Sequence, residues 1–218
     1  MKPSAAIFDL DGTLLDTIQD ISNSANEVLG NFSLPKHELS AYRIFAGDGL
    51  DILFQRALPP ENSTEEMVKR CVEEFAIVYG RRWRQHSKPF PGIQTLLDNL
   101  CEKNIRLAVL SNKMDYFTKA MTAEMFPKTK FEVVLGARPG IPKKPDPAGA
   151  HEIADLLALP PSEIFFVGDT STDIKTARAA RMIPLGVLWG FREEQELREN
   201  GAKYILREPR DMLDLLPS

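Results

Sequence analysis

Asp9 and Asp11 flank a single Leu just beyond the apolar run "AAIF", with Gly12 and Thr13 immediately behind. Ser111 and Asn112 end a second apolar run, Lys143 and Lys144 stand in "GIPKKPDP", and Asp169 and Asp173 close a third run in "FFVGDTSTD". Three or four carboxylates converging on one crevice would repel each other and resist burial unless a cation joined them. A hard divalent ion, Mg²⁺ before Ca²⁺, suits a set rich in oxygen ligands with no His or Cys nearby. The other groups, a Ser hydroxyl, backbone N–H groups and a Lys, are complementary to a phosphoryl group whose equatorial oxygens need neutralising as it transfers. Metal, anion-binding groups and a bare carboxylate together spell phosphoryl chemistry.

These residues can act together only if the fold delivers them to one place. Short apolar runs that read as buried strands are "AAIF", "IRLAVLS" (Ile105 to Ser111), "FEVVLG" (Phe131 to Gly136), "EIFFVGD" (Glu163 to Asp169) and "IPLGVLWG" (Ile183 to Gly190). Helical patterns lie between them, over Gly92 to Lys103, Tyr116 to Met125, Asp146 to Ala158 and Thr172 to Arg181. Strands alternating with helices predict an α/β fold, a Rossmann-like doubly wound parallel sheet covered on both faces. Ligands of such sheets sit beyond the carboxyl ends of the strands, where all the polar clusters fall.

One interval breaks the rhythm. From Thr17 to about Lys88 the periodicity is helical only, in Ile18 to Leu29, His37 to Phe45, Leu50 to Leu58 and Thr64 to Trp83. A connection in an α/β unit needs only a few residues outside its helix, so roughly seventy residues predict an inserted four-helix domain. The expected division is therefore 1–16 and 89–218 for the sheet domain and 17–88 for the insert, with "KPFPG" (Lys88 to Gly92) marking the return.

The bulk properties narrow the field. With 218 residues, 43% of them hydrophobic, the chain can bury a substantial core. A formal charge of −4 and a pI near 5.5 speak against a general affinity for nucleic acid. Cys71 and Cys101 lack the spacing of a zinc site or a disulfide framework and read as reduced, half-buried residues. The first apolar run is broken by Asp9 and Asp11 before it could form a signal-peptide core, and no segment approaches membrane-spanning length. A cytoplasmic protein acting on a small phosphorylated metabolite, with neither nucleic acid nor membrane as partner, is the expectation, as monomer or homodimer.

"DLDGTLLD", "LSN", "KKPDP" and "GDTSTD", in this order, resemble the four motifs of the haloacid dehalogenase superfamily of phosphatases, and the insert after the first resembles its small helical cap. The resemblance implies that Asp9 is the nucleophile forming an aspartyl-phosphate, and that Asp11 protonates the leaving alcohol and later takes a proton from water. It implies that Ser111 and the backbone N–H of Asn112 hold phosphate oxygens while Lys144, which directly precedes Pro-Asp-Pro, neutralises the nucleophile and the transferring group. By the same resemblance Mg²⁺ is bound by Asp169, the Asp9 carboxylate and the Asp11 carbonyl, with Asp173 binding directly or through water.

"FAGDGLDILFQRAL" (Phe45 to Leu58) resembles the glycine-containing loop and helix of phosphoglycolate phosphatase caps, and "LLDTIQDI" resembles that subgroup's entry into the cap. This implies hydrolysis of 2-phosphoglycolate, with Gly47 and Gly49 facing substrate or simply making a turn, and a mobile cap that excludes water. Sugar-phosphate phosphatases and β-phosphoglucomutase-like phosphomutases share the cap and stay open as alternatives. A non-catalytic module retaining the fold is more remote, since every chemical group is present. The sequence departs from the family at Arg181, where a left-handed helix end favours Gly, and at Ser111, where Thr is frequent.

Simpler readings compete at several positions. A calcium loop fails at Asp9 and Asp11 because Gly12 is at the wrong offset and no closing Glu follows. Asp16 reads as the N-cap of the next helix, and Asp173 could cap its own helix as well as bind metal. Lys143 reads as solvated charge. "GRRWRQHSK" (Gly80 to Lys88) is the exposed end of the last cap helix, Trp83 and Trp189 are packing residues, and His37, His86 and His151 are surface histidines.

Overall fold

The computed structural model describes residues 3–216 and divides the chain into two compact units. One runs up to Leu15 and from Pro89 onward, and the other is Asp16–Lys88. Residues 1–2 and 217–218 of the expected sheet domain lie outside the described residues.

The first unit is built on the strands β1 (Ala5–Phe8), β4 (Arg106–Met114), β5 (Phe131–Ala137), β6 (Ile164–Gly168), β7 (Ile183–Val187) and β8 (Tyr204–Leu206). They form a six-stranded parallel sheet in the order β5-β4-β1-β6-β7-β8. A central parallel strand is covered on both faces and so must be apolar at every position, which explains "AAIF". All of β1 is buried, with Phe8 level with Val109 of β4 and Val167 of β6. The Asp9 N–H still bonds to the Val167 carbonyl at 2.9 Å, so Asp9 leaves the sheet at the end of the ladder.

The helices α5 (Ile93–Glu102), α6 (Asp115–Met125), α7 (Ala148–Leu156), α8 (Ser171–Ala179) and α9 (Glu194–Glu199) join these strands. After β4 the chain moves outward to β5, then returns through α7 to β6 on the opposite side of β1. This reversal leaves a crevice beyond the carboxyl ends of β1, β4 and β6. Ala5 and Ile7 pack with Ile153 and Leu157 of the α7 segment and with Ala177 of α8, in one apolar cluster. The expected α/β architecture, a doubly wound sheet with an inserted helical unit, is the one found.

The second unit contains α1 (Ile18–Asn31), α2 (Leu39–Phe45), α3 (Leu50–Ala57) and α4 (Glu65–Arg82). Thr64 caps α4 by accepting the Met67 N–H at 3.2 Å, and the rings of Phe75 and Tyr79 stack at 5.1 Å inside the bundle. The buried Asp20 carboxylate accepts the His86 and Ser87 N–H groups at 2.9 and 2.8 Å and the Ser87 hydroxyl at 2.8 Å. A two-stranded sheet is formed by β2 (Leu15–Asp16) and β3 (Lys88–Pro89).

Four helices end alike. The residues after their C-caps, Ser33, Asn104, Ala158 and Arg181, have φ of 57°, 59°, 49° and 59°. The next N–H then reaches back five residues to a helix carbonyl, as Met182 does to Ala177 at 2.8 Å and Leu159 to Ala154 at 3.0 Å. These are Schellman ends, and Arg181 adopts the left-handed conformation that its position calls for.

Several sequence expectations are corrected. Asp16 is not the N-cap of α1: its backbone is held in β2, and the cap position falls to Thr17, which makes no side-chain cap bond. The cysteines are not half-buried; Cys71 is fully buried in α4 and Cys101 is exposed, both as free thiols. His37 is no surface histidine, since Nε2 lies 2.7 Å from the Ala57 carbonyl and the ring meets Phe45 edge-on at 5.2 Å. The strand expected to stop at Ser111 continues to Met114, and α9 and β8 went unread because α9 is short and richly charged and β8 is only three residues long.

Candidate active site

Asp9, Asp169 and Asp173 are buried and each offers a carboxylate oxygen to one spot, these oxygens lying within 4.8 Å of one another. The cation among them is Lys144, whose Nζ is 3.0 Å from Asp9 Oδ1 and 2.6 Å from Asp173 Oδ1. Asp9 Oδ1 also accepts the Leu10 N–H at 2.7 Å. Both contacts fall on the same oxygen, Oδ1.

Asp169 is fixed from two sides. Thr13 Oγ1 donates to Oδ1 at 3.0 Å, and the Phe191 N–H donates to Oδ2 at 2.8 Å. Gly12 makes room for it: φ is +84°, and a Cβ there would stand 2.4 Å from Asp169 Oδ2. From the β7 side Gly190 does the same, since a Cβ would meet Asp169 Cβ at 2.3 Å and the Gly12 carbonyl at 2.4 Å. Trp189 is more than a packing residue, because its indole N–H donates to the Thr13 carbonyl at 2.9 Å.

Asp173 takes the capping role that the sequence left open for it. It is the third residue of α8 and closes a capping box with Thr170, whose N–H and hydroxyl meet Asp173 Oδ2 at 3.1 and 2.7 Å. Its other oxygen receives Lys144. Lys144 is itself held by Asn112, whose side chain accepts the Lys144 N–H at 2.8 Å and donates to the Lys144 carbonyl at 2.9 Å.

Ser111 is buried in β4, where its hydroxyl accepts the Lys113 N–H at 3.3 Å. Lys143 is half-buried and lines a narrow cleft with Ser111, Asn112 and Lys144. Asp11 directs its carboxylate to Lys113, whose Nζ is 3.0 Å from each oxygen. Gly47 and Gly49 belong to the helical unit, with φ of 114° and 94° in the turn between α2 and α3.

The electrostatics expose a shortage of positive charge. Burial, opposed by Lys144 and reinforced by Asp173 and Asp11, pushes the Asp9 carboxyl up to about 7. Burial, then the charges of Asp173 and Asp9, push Asp169 up to about 8, against the Phe191 and Thr13 hydrogen bonds. Lys144 loses by burial but gains more from Asp173 and Asp9, and its ammonium is held well above the usual lysine range. One ammonium among three buried carboxylates is too little, and hard oxygen donors at this spacing fit a divalent cation.

Lys113, Thr13 and the Trp189–Phe191 loop carried no chemical role in the sequence reading, Trp189 being read as packing alone. The loop follows the carboxyl end of β7, so the strand-end rule that located the other groups reaches it too.

A sequence model described as haloacid dehalogenase-like hydrolase matches residues 6–187. The phosphoglycolate phosphatase of Haemophilus influenzae is 29% identical over 215 residues, covering 96% of each chain. That of Pseudomonas savastanoi is 26% identical over 215 residues, covering 97% of this chain and 79% of the relative. Among solved structures, a Lactobacillus delbrueckii protein with the working name phosphoglycolate phosphatase superposes with a TM-score of 0.91 at 31% identity, covering 99% of each chain.

Proposed function

The chain belongs to the haloacid dehalogenase-like hydrolases, and on that premise we propose that it hydrolyses a small phosphomonoester, 2-phosphoglycolate, to glycolate and phosphate through an aspartyl-phosphate on Asp9. The name shared by the relatives supplies the substrate. The observation that carries the chemistry is the buried Asp9, braced on Oδ1 by Lys144 and the Leu10 N–H beside the carboxylates of Asp169 and Asp173.

In this reading an Asp9 carboxylate oxygen attacks phosphorus, the bond from phosphorus to the ester oxygen breaks, and Asp11 gives its proton to the departing alkoxide. Water then attacks the same phosphorus; Asp11 takes its proton, the bond to Asp9 breaks, and phosphate leaves. Ser111 and the Asn112 N–H would hold phosphate oxygens, and Lys144 would keep Asp9 ionised. Asp9, Asp169 and the Asp11 carbonyl would hold Mg²⁺, with Asp173 binding directly or through water. When bound, the ion supplies positive charge to the phosphoryl oxygens. Selection of the organic part falls to the helical unit, including its Gly47 to Gly49 turn.

The test is phosphate release from a panel of small esters, with Mg²⁺ and with chelator, by wild type and Asp9→Asn. The expected result is Mg²⁺-dependent turnover led by 2-phosphoglycolate, and loss of turnover in a folded variant. Asp9→Asn turning over at the wild-type rate would refute the mechanism. Preference for another ester, or a rearranged sugar phosphate as product, would reassign the substrate or the reaction.

A further inference from the structure

We propose that Lys113 is a positioning residue for the proton transfer, aiming the Asp11 carboxyl at the leaving oxygen. The inference rests on the phosphatase reading above and adds to it a group outside the four motifs.

Lys113 is where it is because β4 runs on past Ser111. Its Nζ stands 3.0 Å from both oxygens of Asp11, and the two side chains are only 7% and 17% exposed. Sheltered pairs of this kind are little screened, and they contribute little net stability over an apolar alternative. The pair is therefore poorly explained as a fold staple. Its chemical effect is directional: Asp11 follows Asp9 and Leu10 out of the main sheet, its backbone bridged to Leu15, and an ammonium centred on both oxygens fixes where the carboxyl points. When one oxygen carries the proton the other can still accept from Nζ, so the orientation survives the transfer. Ser111 Oγ also accepts the Lys113 N–H at 3.3 Å, which ties this positioning to the same strand end as a phosphate-binding hydroxyl.

A general acid is worth about 10²–10⁴ in rate, and a displacement near 1 Å can forfeit about 10² of it. The test compares wild type, Lys113→Met and Lys113→Arg on 2-phosphoglycolate, an alkyl ester whose leaving group needs a proton, and on 2,4-dinitrophenyl phosphate, whose leaving group does not. The readout is kcat/KM, which reports steps up to transfer onto Asp9. Lys113→Met should lose about 100-fold on the alkyl ester and no more than a few-fold on the aryl ester, with Lys113→Arg recovering most of the alkyl activity. Equal losses on both esters, or no loss on either, would overturn the inference. Failure of the wild type to hydrolyse either ester would instead overturn the phosphatase reading.

Discussion

Replacing Arg181 with Gly should stabilise the sheet unit. Arg181 is exposed, makes no side-chain hydrogen bond or ion pair among the described residues, and holds φ at 59° to let Met182 close the end of α8. An L-residue pays about 1–2 kcal/mol for that conformation, while Gly adopts it freely. Against this stands the greater freedom of Gly in the unfolded chain, about 0.5–1 kcal/mol, so the net gain is about 0.5–1 kcal/mol. For a chain of this size that is about 1–4 °C in Tm. The assay is guanidinium unfolding followed by tryptophan fluorescence, with Trp189 reporting the sheet unit and Trp83 the helical unit, each read alone in a background where the other is Phe. Arg181→Ala is the control, because it removes the side chain and keeps the left-handed cost; it should lie within about 0.5 kcal/mol of wild type. A destabilised Arg181→Gly, or an Arg181→Ala stabilised equally, would refute the backbone argument.

Without a divalent ion, stability should fall as pH rises from about 4 to about 8. Asp9 and Asp169, pushed up to about 7 and about 8, keep protons that the unfolded chain releases near its ordinary carboxylate value of 3.8, so the folded state binds more protons across that window. Denaturant titrations in chelator at pH 5.5 and 8 should differ by on the order of a few kcal/mol, and a flat or rising profile would contradict the shortage of positive charge. Gly190→Ala forces a Cβ to 2.3 Å from Asp169 and 2.4 Å from the Gly12 backbone carbonyl, and should cost about 1–3 kcal/mol by overpacking. A wild-type Tm, or an Mg²⁺ requirement for turnover unchanged in that variant, would show that the loop yields more easily than the geometry implies.

Much of the sheet was legible because its central strands are buried on both faces and therefore apolar without interruption, as "AAIF" and "IFFVG" are. The strand-end rule then brought Asp9, Ser111, Lys144 and Asp169 into one neighbourhood. What escaped was carried by partners distant in sequence. The Asn112 side chain bonds a backbone 32 residues away, and Thr13 meets Asp169 across 156 residues, and neither leaves a local pattern to read. Lys113 resembles any lysine near a strand end until Asp11 is seen beside it. His37 looked solvated because the aromatic pocket of Tyr42 and Phe45 exists only once α2 has folded.

The single carboxylate of Asp173 has consequences for how this chain can drift. One oxygen starts α8 and the other anchors Lys144, so the opening turn of a helix and the seat of a buried ammonium share one side chain. A substitution at Thr170 that abolishes the cap frees Asp173 to turn, and that rotation moves the partner of Lys144 without touching any group that meets phosphate. Tolerance at position 170 is accordingly confined to side chains that keep the hydroxyl, Ser and Thr. Hydrogen exchange of the Asp173 amide, whose N–H donates to Thr170 Oγ1 at 3.4 Å, thereby becomes a reporter of the charge cluster.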